Sequence, residues 1–288
     1  MSGAAVQVAP AKVNLALRVL SRDANGYHQI ETLFQKLVLA DEVVVRPVDS
    51  ERTLAVRWDG PPALDLGPAE QNLAWRAAAA FAATTGDATG WVIELTKRIP
   101  AGGGLGGGSA DAAAVLRALN AASASPLSTE ALHRIAASLG ADVPFLVQPA
   151  PLALGTGYGE RLAPLATLPS APVLLVLPPF GVNTAAAYGA LAAARVQAGG
   201  PPPAASYDPI GWSSWAEVAA RQVNDFEPTV FAAHPDLAAV RQQLSDAGAL
   251  IARMSGSGST LFGVWEVGAT LPAVKLPAGW AAVETATA

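Results

Sequence analysis

The sequence predicts an α+β chain built as two modest domains, and three observations carry that expectation. The chain has 288 residues, 51% of them hydrophobic, which suffices for more than one core. Its N-terminal stretches alternate like antiparallel strands, and the strands and helices that follow form no regular βαβ series. Pro164, Pro169 and Pro172 cluster where a boundary is expected, giving domains at residues 1–165 and 166–288.

Taken in order, residues 12–19 place Val13, Leu15, Leu17 and Val19 on one face and Lys12, Asn14, Ala16 and Arg18 on the other. A period of two reads as a half-buried strand. Asp23-Ala24-Asn25-Gly26 has the composition of a turn, and residues 30–39, 42–48 and 54–58 read as extended. Residues 72–81 predict a helix ending near Gly86, and residues 91–97 a strand that stops at Pro100. After a glycine-dense loop, Ser109 is expected to open an alanine-rich helix reaching about Leu119. Residues 128–139 predict a helix with Ser128 as N-cap and Gly140 beyond its end.

The short apolar run 173–177 suits a buried strand, and residues 184–196 a helix. Gly199-Gly200-Pro201-Pro202-Pro203 reads as a surface loop or short linker. Helices near 215–222 and 237–248 precede a strand ending near Met254 and a strand at 261–267.

Composition removes several classes of function. With no cysteine, disulfides, zinc–thiolate sites, iron–sulfur clusters and cysteine nucleophiles are excluded. Three scattered histidines, His28, His133 and His234, leave little for a metal site, and no protein-held metal is expected. A net charge of -5 offers no footprint for nucleic acid. No apolar run approaches the roughly 20 residues that span a bilayer, so no membrane partner is expected. The first twenty residues lack the apolar core of a signal peptide, which leaves the cytoplasm as the expected location. Only four of the 18 basic residues are lysines, so each lysine beside a motif is a candidate for chemistry.

The most informative stretch is Pro100-Ala101-Gly102-Gly103-Gly104-Leu105-Gly106-Gly107-Gly108-Ser109. Six glycines in so short a span are conformationally costly, and a plain flexible turn needs no such density. Between a strand and a helix N-terminus, they let backbone N–H groups converge on an anion with help from the helix dipole. No lysine precedes Ser109, so this is not a Walker A loop. The acidic residue that a dinucleotide fold needs at the end of the next strand is missing as well. Ser109 reads as an N-cap, as a ligand of phosphate or Mg²⁺, or as both. Asp111 would repel phosphate, so it points away or acts on Mg²⁺ through water. A second loop, Met254-Ser255-Gly256-Ser257-Gly258-Ser259, can close over the same anion.

These pieces resemble the GHMP family of small-molecule kinases. The family's three motifs correspond to Pro10-Ala11-Lys12, the Pro100 to Ser109 loop, and Ser255-Gly256-Ser257-Gly258. Further stretches are similar to a branch whose acceptor carries a cytidine diphosphate group. They are Ala9-Pro10-Ala11-Lys12-Val13-Asn14-Leu15, Gly26-Tyr27-His28, Thr32-Leu33-Phe34-Gln35, Gly140-Ala141-Asp142-Val143-Pro144-Phe145 and Asn224-Asp225-Phe226-Glu227. The resemblance implies a ribosomal-protein-S5-like N-terminal domain and a ferredoxin-like C-terminal domain, with the site between them. It implies ATP with Mg²⁺ as phosphoryl donor, and a monomer or weak homodimer.

The resemblance also assigns roles. Asp142 becomes the proton acceptor and an acceptor-substrate ligand, where the residues alone allow a turn carboxylate. Lys12, otherwise a snorkelling surface lysine, becomes the catalytic cation, and Asn14 on its face a substrate ligand. Tyr27 supplies a ring for the base and His28 hydrogen bonds, with Tyr188 on the base's other face and Thr184 nearby. Ser257 and Gly258 fall on the acceptor. Asn72 and Lys97 line the adenine end of the ATP site, and Pro100, Gly102, Gly103, Gly104, Leu105, Gly106, Gly107, Gly108 and Ser109 hold its phosphates. The Asn224 to Glu227 signature is expected to support the domain interface. Where many relatives follow the loop serine with a second serine, this chain has Ala110. A homoserine or mevalonate kinase of the same family has no need of Tyr27-His28. A non-catalytic nucleotide binder would not need Lys12 and Asp142, and a nucleic-acid module fits poorly with net acidity.

Overall fold

A computed structural model describes residues 4–60, 66–86, 89–199 and 204–288. Of the proline-rich stretch, residues 200–203 lie outside the described residues. The chain resolves into two compact units that interleave along the sequence. The first comprises Met1–Ala11, Leu39–Ala101 and Gly106–Pro149, the second Lys12–Val38, Gly102–Leu105 and Ala150–Ala288.

Strand β1 runs Ala5–Arg22 and strand β2 His28–Val48, and the two pair with each other. The two extended stretches expected at 30–39 and 42–48 are one strand. No glycine or proline separates them, and Asp41 stays extended because its buried carboxylate has partners inside the first unit.

In the first unit, residues 42–48 of β2 pair antiparallel with β4 (Gly90–Lys97), which pairs in parallel with β3 (Arg52–Trp58). Helix α1 (Leu73–Thr85) begins at Asn72, whose side chain accepts the Ala74 N–H, and ends at Gly86 in the left-handed conformation. This is the N-cap and glycine stop that the residue types favour. Helix α2 (Gly107–Ala122) packs on α1, and its alanines at 110, 112, 113, 114 and 118 are buried. Helix α3 (Thr129–Leu139) has the expected cap, Ser128 accepting the Ala131 N–H at 3.2 Å. The short helix α4 (Val143–Val147) follows, its five residues all buried. Pro144 therefore sits in the first turn of a helix, where its missing N–H costs nothing.

In the second unit, residues 32–35 of β2 pair antiparallel with β5 (Leu152–Thr156), which pairs with β6 (Arg161–Pro164). A four-stranded antiparallel sheet follows in the order β10 (Ala281–Ala286), β7 (Pro172–Leu177), β9 (Leu261–Val264), β8 (Ile251–Met254). Counted within the sheet this is 4-1-3-2, a ferredoxin-like order. Among the described residues the β9–β10 connection carries no helix. Helices α5 (Thr184–Ala198), α6 (Trp215–Arg221), α7 (Glu227–Ala233) and α8 (Pro235–Asp246) complete the unit. Leu174, Val176, Leu191, Phe226, Val240, Met254 and Leu261 share its core with Leu17, Val19 and Ile30.

Candidate active site

The glycine-dense loop contributes to both units, with Pro100, Ala101 and residues 106–109 in the first and residues 102–105 in the second. In the first unit it feeds directly into α2. The N-cap is Gly106, at φ 73°, which corrects the expectation that Ser109 caps the helix. A side chain at Gly106 would strain against the left-handed backbone, so glycine rather than serine makes the turn. Ser109 is the third helical residue and half-buried, in the first turn where the N–H groups are unpaired and the dipole is positive.

Beneath this turn lies a buried ionic cluster. Lys97 Nζ is 2.5 Å from Asp111 Oδ2 and also binds Asp41 Oδ2, with all three residues buried. Asp41 Oδ1 accepts the N–H groups of Arg98 at 2.5 Å and Ile99 at 2.8 Å, which fixes the limb leading into the loop. Asp111 therefore points inward, the first of the two courses expected for it. Two carboxylates share one ammonium, and Asp41 has two further donors, so Asp111 is the member with fewer hydrogen-bond partners. Burial pushes its carboxyl up to about 7 against the pull of Lys97. Burial draws the Lys97 ammonium down, but the charges of Asp111 and Asp41 outweigh it and hold the pKa above its ordinary value. Asp111 Oδ1 is buried without a hydrogen-bond partner. Asp41 was missed in the sequence; an acid within an apolar extended run was its signal.

Asp142, also in the first unit, precedes α4 in a helical conformation and is half-buried. Its carboxylate does not cap the helix, so its position answers to something other than local helix stability. Asn72 spends its side-chain oxygen on the α1 N-terminus at 2.9 Å.

The second unit gathers the acceptor-side candidates. Lys12 and Asn14 are each 3% exposed, so Lys12 is no snorkelling surface residue. A relay fixes them: Lys12 Nζ donates to Asn14 Oδ1, Asn14 Nδ2 to Thr32 Oγ1, and Thr32 Oγ1 to the Ala16 carbonyl, each at 2.8 Å. These bonds orient the Asn14 amide, and Thr32 is a site residue whose role sequence reasoning missed. The Lys12 backbone N–H donates to the Leu105 carbonyl at 2.9 Å, tying β1 to the glycine loop.

The second glycine loop packs on the same segment. Ser255 Oγ donates to the Gly104 carbonyl at 2.9 Å, and a Cβ on Gly104 would lie 2.3 Å from the Ser255 oxygen. The two loops meet backbone to backbone, and glycine at 104 permits it. Gly256 lies beside Asn14 Oδ1, and Ser257 Oγ shares a 2.9 Å hydrogen bond with Thr184 Oγ1. Gly258 completes the loop, its N–H donating to the Ser255 carbonyl at 3.0 Å.

The aromatic candidates divide. His28 and Tyr188 stack with centroids 5.0 Å apart and planes 17° apart, while Tyr27 packs at 5.8 Å against Tyr158. Tyr27 is 69% exposed, an unusual expenditure of an aromatic ring on solvent. Burial, then the charges of Arg22 and Arg195, lower the His28 pKa below 6.5. At neutral pH the imidazole is uncharged, with one donor nitrogen and one acceptor.

No helix among the described residues is long and apolar enough to cross a membrane. Against known proteins, the family model for the GHMP kinases N terminal domain matches residues 72–148, and that for GHMP kinases C terminal matches 211–266. A protein of Geobacter sp. (strain M21) named 4-diphosphocytidyl-2-C-methyl-D-erythritol kinase is 40% identical, covering 90% of this chain and 89% of its own. A crystal structure of a 4-(cytidine 5'-diphospho)-2C-methyl-D-erythritol kinase superposes with TM-score 0.71 at 34% identity, covering 98% of this chain and 99% of that one. A homoserine kinase from Cytophaga hutchinsonii shares the fold, with TM-score 0.62 at 22% identity over 92% of this chain and 85% of that one. The two-domain α+β architecture and these matches agree, and the chain belongs to the GHMP kinase family.

Proposed function

We propose that this kinase transfers the γ-phosphoryl group of ATP to the 2-hydroxyl of 4-diphosphocytidyl-2-C-methyl-D-erythritol, in non-mevalonate isopentenyl diphosphate biosynthesis. The products are the 2-phosphate and ADP. The relatives of that name support the acceptor, and the pairing of His28 with Tyr188 is the observation that carries it. These rings lie far apart in sequence, and a homoserine or mevalonate kinase has no base for them to read. Tyr27 and Tyr188 offer ring faces to the cytosine, and neutral His28 offers its edge both a donor and an acceptor.

Phosphoryl transfer asks for a positioned hydroxyl, stabilised phosphate charge and a place for one proton. Asp142 takes the proton as the hydroxyl oxygen bonds to the γ-phosphorus and the bond to ADP breaks. Lys12, oriented by Asn14, offsets the charge on the transferring group. Asn14, Thr184, Ser257 and Gly258 hold the acceptor. Leu105 and the glycines at 102, 103, 104, 106, 107 and 108 offer backbone N–H groups to the ATP phosphates, and Pro100, which has no N–H, opens the loop they form, with Asn72 and Lys97 toward the adenine. A bound Mg²⁺ would neutralise charge on the phosphates. Ser109 Oγ, in the first turn of α2, is the donor of this chain that fits it, because Asp111 is committed to Lys97.

In this reading the ATP-binding domain spans residues 1–165 and the second domain 166–288. The protein works in the cytoplasm as a monomer or weak homodimer, with no nucleic-acid partner. Coupled ADP release tests the function, with the cytidyl acceptor offered beside homoserine, mevalonate and galactose. Turnover confined to the cytidyl acceptor is expected. Turnover on another alcohol would discard the base site, and ATP binding without turnover on any would discard the acceptor assignment.

A further inference from the structure

We infer that Asn224 and Phe226 are positioning residues for the acceptor, Asn224 through the second glycine loop and Phe226 through the Tyr188 ring. The inference rests on the reading of Ser257, Gly258, Thr184 and Tyr188 as acceptor-side residues.

Asn224 is 3% exposed, and its amide is almost fully used. Nδ2 gives its two hydrogens to the carbonyls of Met254 at 2.7 Å and Gly256 at 2.8 Å. Oδ1 accepts the Phe226 N–H at 2.9 Å. Two donors and one acceptor at this side-chain length are what an asparagine offers. Aspartate has no donor for the carbonyls, and leucine satisfies none of the three groups. The carbonyls it binds bracket Ser255 and lead directly into Ser257, whose hydroxyl meets Thr184. Asn224 thus sets where the loop's hydroxyl and backbone stand.

The neighbouring residues hold the other walls. Leu17 donates its N–H to the Val223 carbonyl at 2.7 Å and accepts from the Asp225 N–H at 3.0 Å, a one-residue parallel bridge between Leu17 and Asn224. Asp225 Oδ2 accepts the Val19 N–H at 2.8 Å and an Arg195 N–H at 2.7 Å. These bonds register the segment against the strand that carries Lys12 and Asn14, and against the helix that carries Tyr188. Glu227 Oε1 accepts the Met254 N–H at 2.9 Å, pinning the end of β8 where the loop begins. Phe226 is 2% exposed and meets Tyr188 edge to face, centroids 4.8 Å apart at 89°, while His28 stacks on the same ring. A perpendicular contact between two flat rings restricts the tilt of Tyr188 in a way that a branched side chain does not.

Steady-state kinetics of Asn224→Asp and Phe226→Leu, beside wild type, test the inference together with thermal melts. In each variant the KM for the cytidyl acceptor is expected to rise about tenfold or more while the KM for ATP moves less than about twofold. Residues that served stability alone would lower Tm and the active fraction and leave both KM values where they were. Unchanged acceptor KM in folded Asn224→Asp, or in Phe226→Leu, overturns the role of that residue. Should Asn224→Asp fail to fold, Asn224→Ser keeps a donor in less volume, and the same KM criterion applies to it. Wild-type enzyme without turnover on the cytidyl acceptor overturns the functional reading and this inference with it. Wild-type turnover with flat KM values overturns the inference alone.

Discussion

Lys12 and Lys97 look alike in the sequence, each near a motif in a chain poor in lysine, yet they are placed very differently. Lys97 is bound between two carboxylates beneath the glycine-dense loop, and the Lys12 ammonium donates to the amide oxygen of Asn14. That bond holds the ammonium in one orientation on its strand, as the role proposed for Lys12 requires. Replacing Lys12 with Met, or Asp142 with Asn, is expected to lower kcat by about 10³-fold or more with ATP affinity largely intact. Single-turnover assays and calorimetric titration with ATP check this, and full activity in either variant removes that residue from the mechanism. Asp111 gives a different signature. Between its ordinary value of 3.8 and about 7, the folded chain holds a proton that the unfolded chain has released. The stability this provides is complete below 3.8 and is lost as pH rises through about 7. Wild-type Tm should therefore fall relative to that of Asp111→Asn as buffers move from about pH 4 to about pH 8. A Tm difference that stays constant across those buffers contradicts the assignment.

At the scale of elements, caps and periods were legible wherever a side chain does the work locally. Asn72, Gly86 and Ser128 mark their helix ends as their residue types demand. The start of α2 was misread because a serine in the first turn looks like a cap, while the backbone reversal needed positive φ and took Gly106. Five elements escaped sequence reasoning: α4, β5, β6, α7 and β10. Each is short, and β10 has no fully buried residue, with pairing to β7 as its support. Helix α7 starts at Glu227-Pro228 and owes its place to the hydrogen bonds of the preceding segment rather than to any apolar stripe. These differences separate two substitutions. Gly106→Ala should cost about 1–2 kcal/mol through its left-handed φ and raise the KM for ATP. Ser128→Ala should cost about 1 kcal/mol, the loss of one N-cap, and leave both KM values unchanged. Chemical denaturation with parallel kinetics distinguishes them, and an ATP effect in Ser128→Ala would sink the contrast.

At the scale of the whole molecule, the fold class and the identity of the motifs were readable, because glycine loops and apolar periods are properties of contiguous residues. The partners of those motifs were not readable. Thr32 behind Asn14, Asp41 behind Lys97 and Phe226 behind Tyr188 are contacts between distant segments, and nothing in local composition announces them. The interleaving of the units has the same origin. Residues 12–38 belong to a compact unit made mostly of residues 150–288, so the chain order hides which residues share a core. That unit holds Lys12, Asn14, Tyr27, His28, Thr184, Tyr188, Ser257 and Gly258, the candidates for the acceptor, while Asn72, Lys97, Ser109 and Asp142 fall in the other. Phosphorus NMR of the cytidyl acceptor after incubation with ATP, Mg²⁺ and the enzyme tests the central claim most directly. One new phosphomonoester resonance on the tertiary 2-hydroxyl, equimolar with ADP, is the predicted result. ADP without a new phosphomonoester, or a phosphoryl group on another hydroxyl, would contradict it.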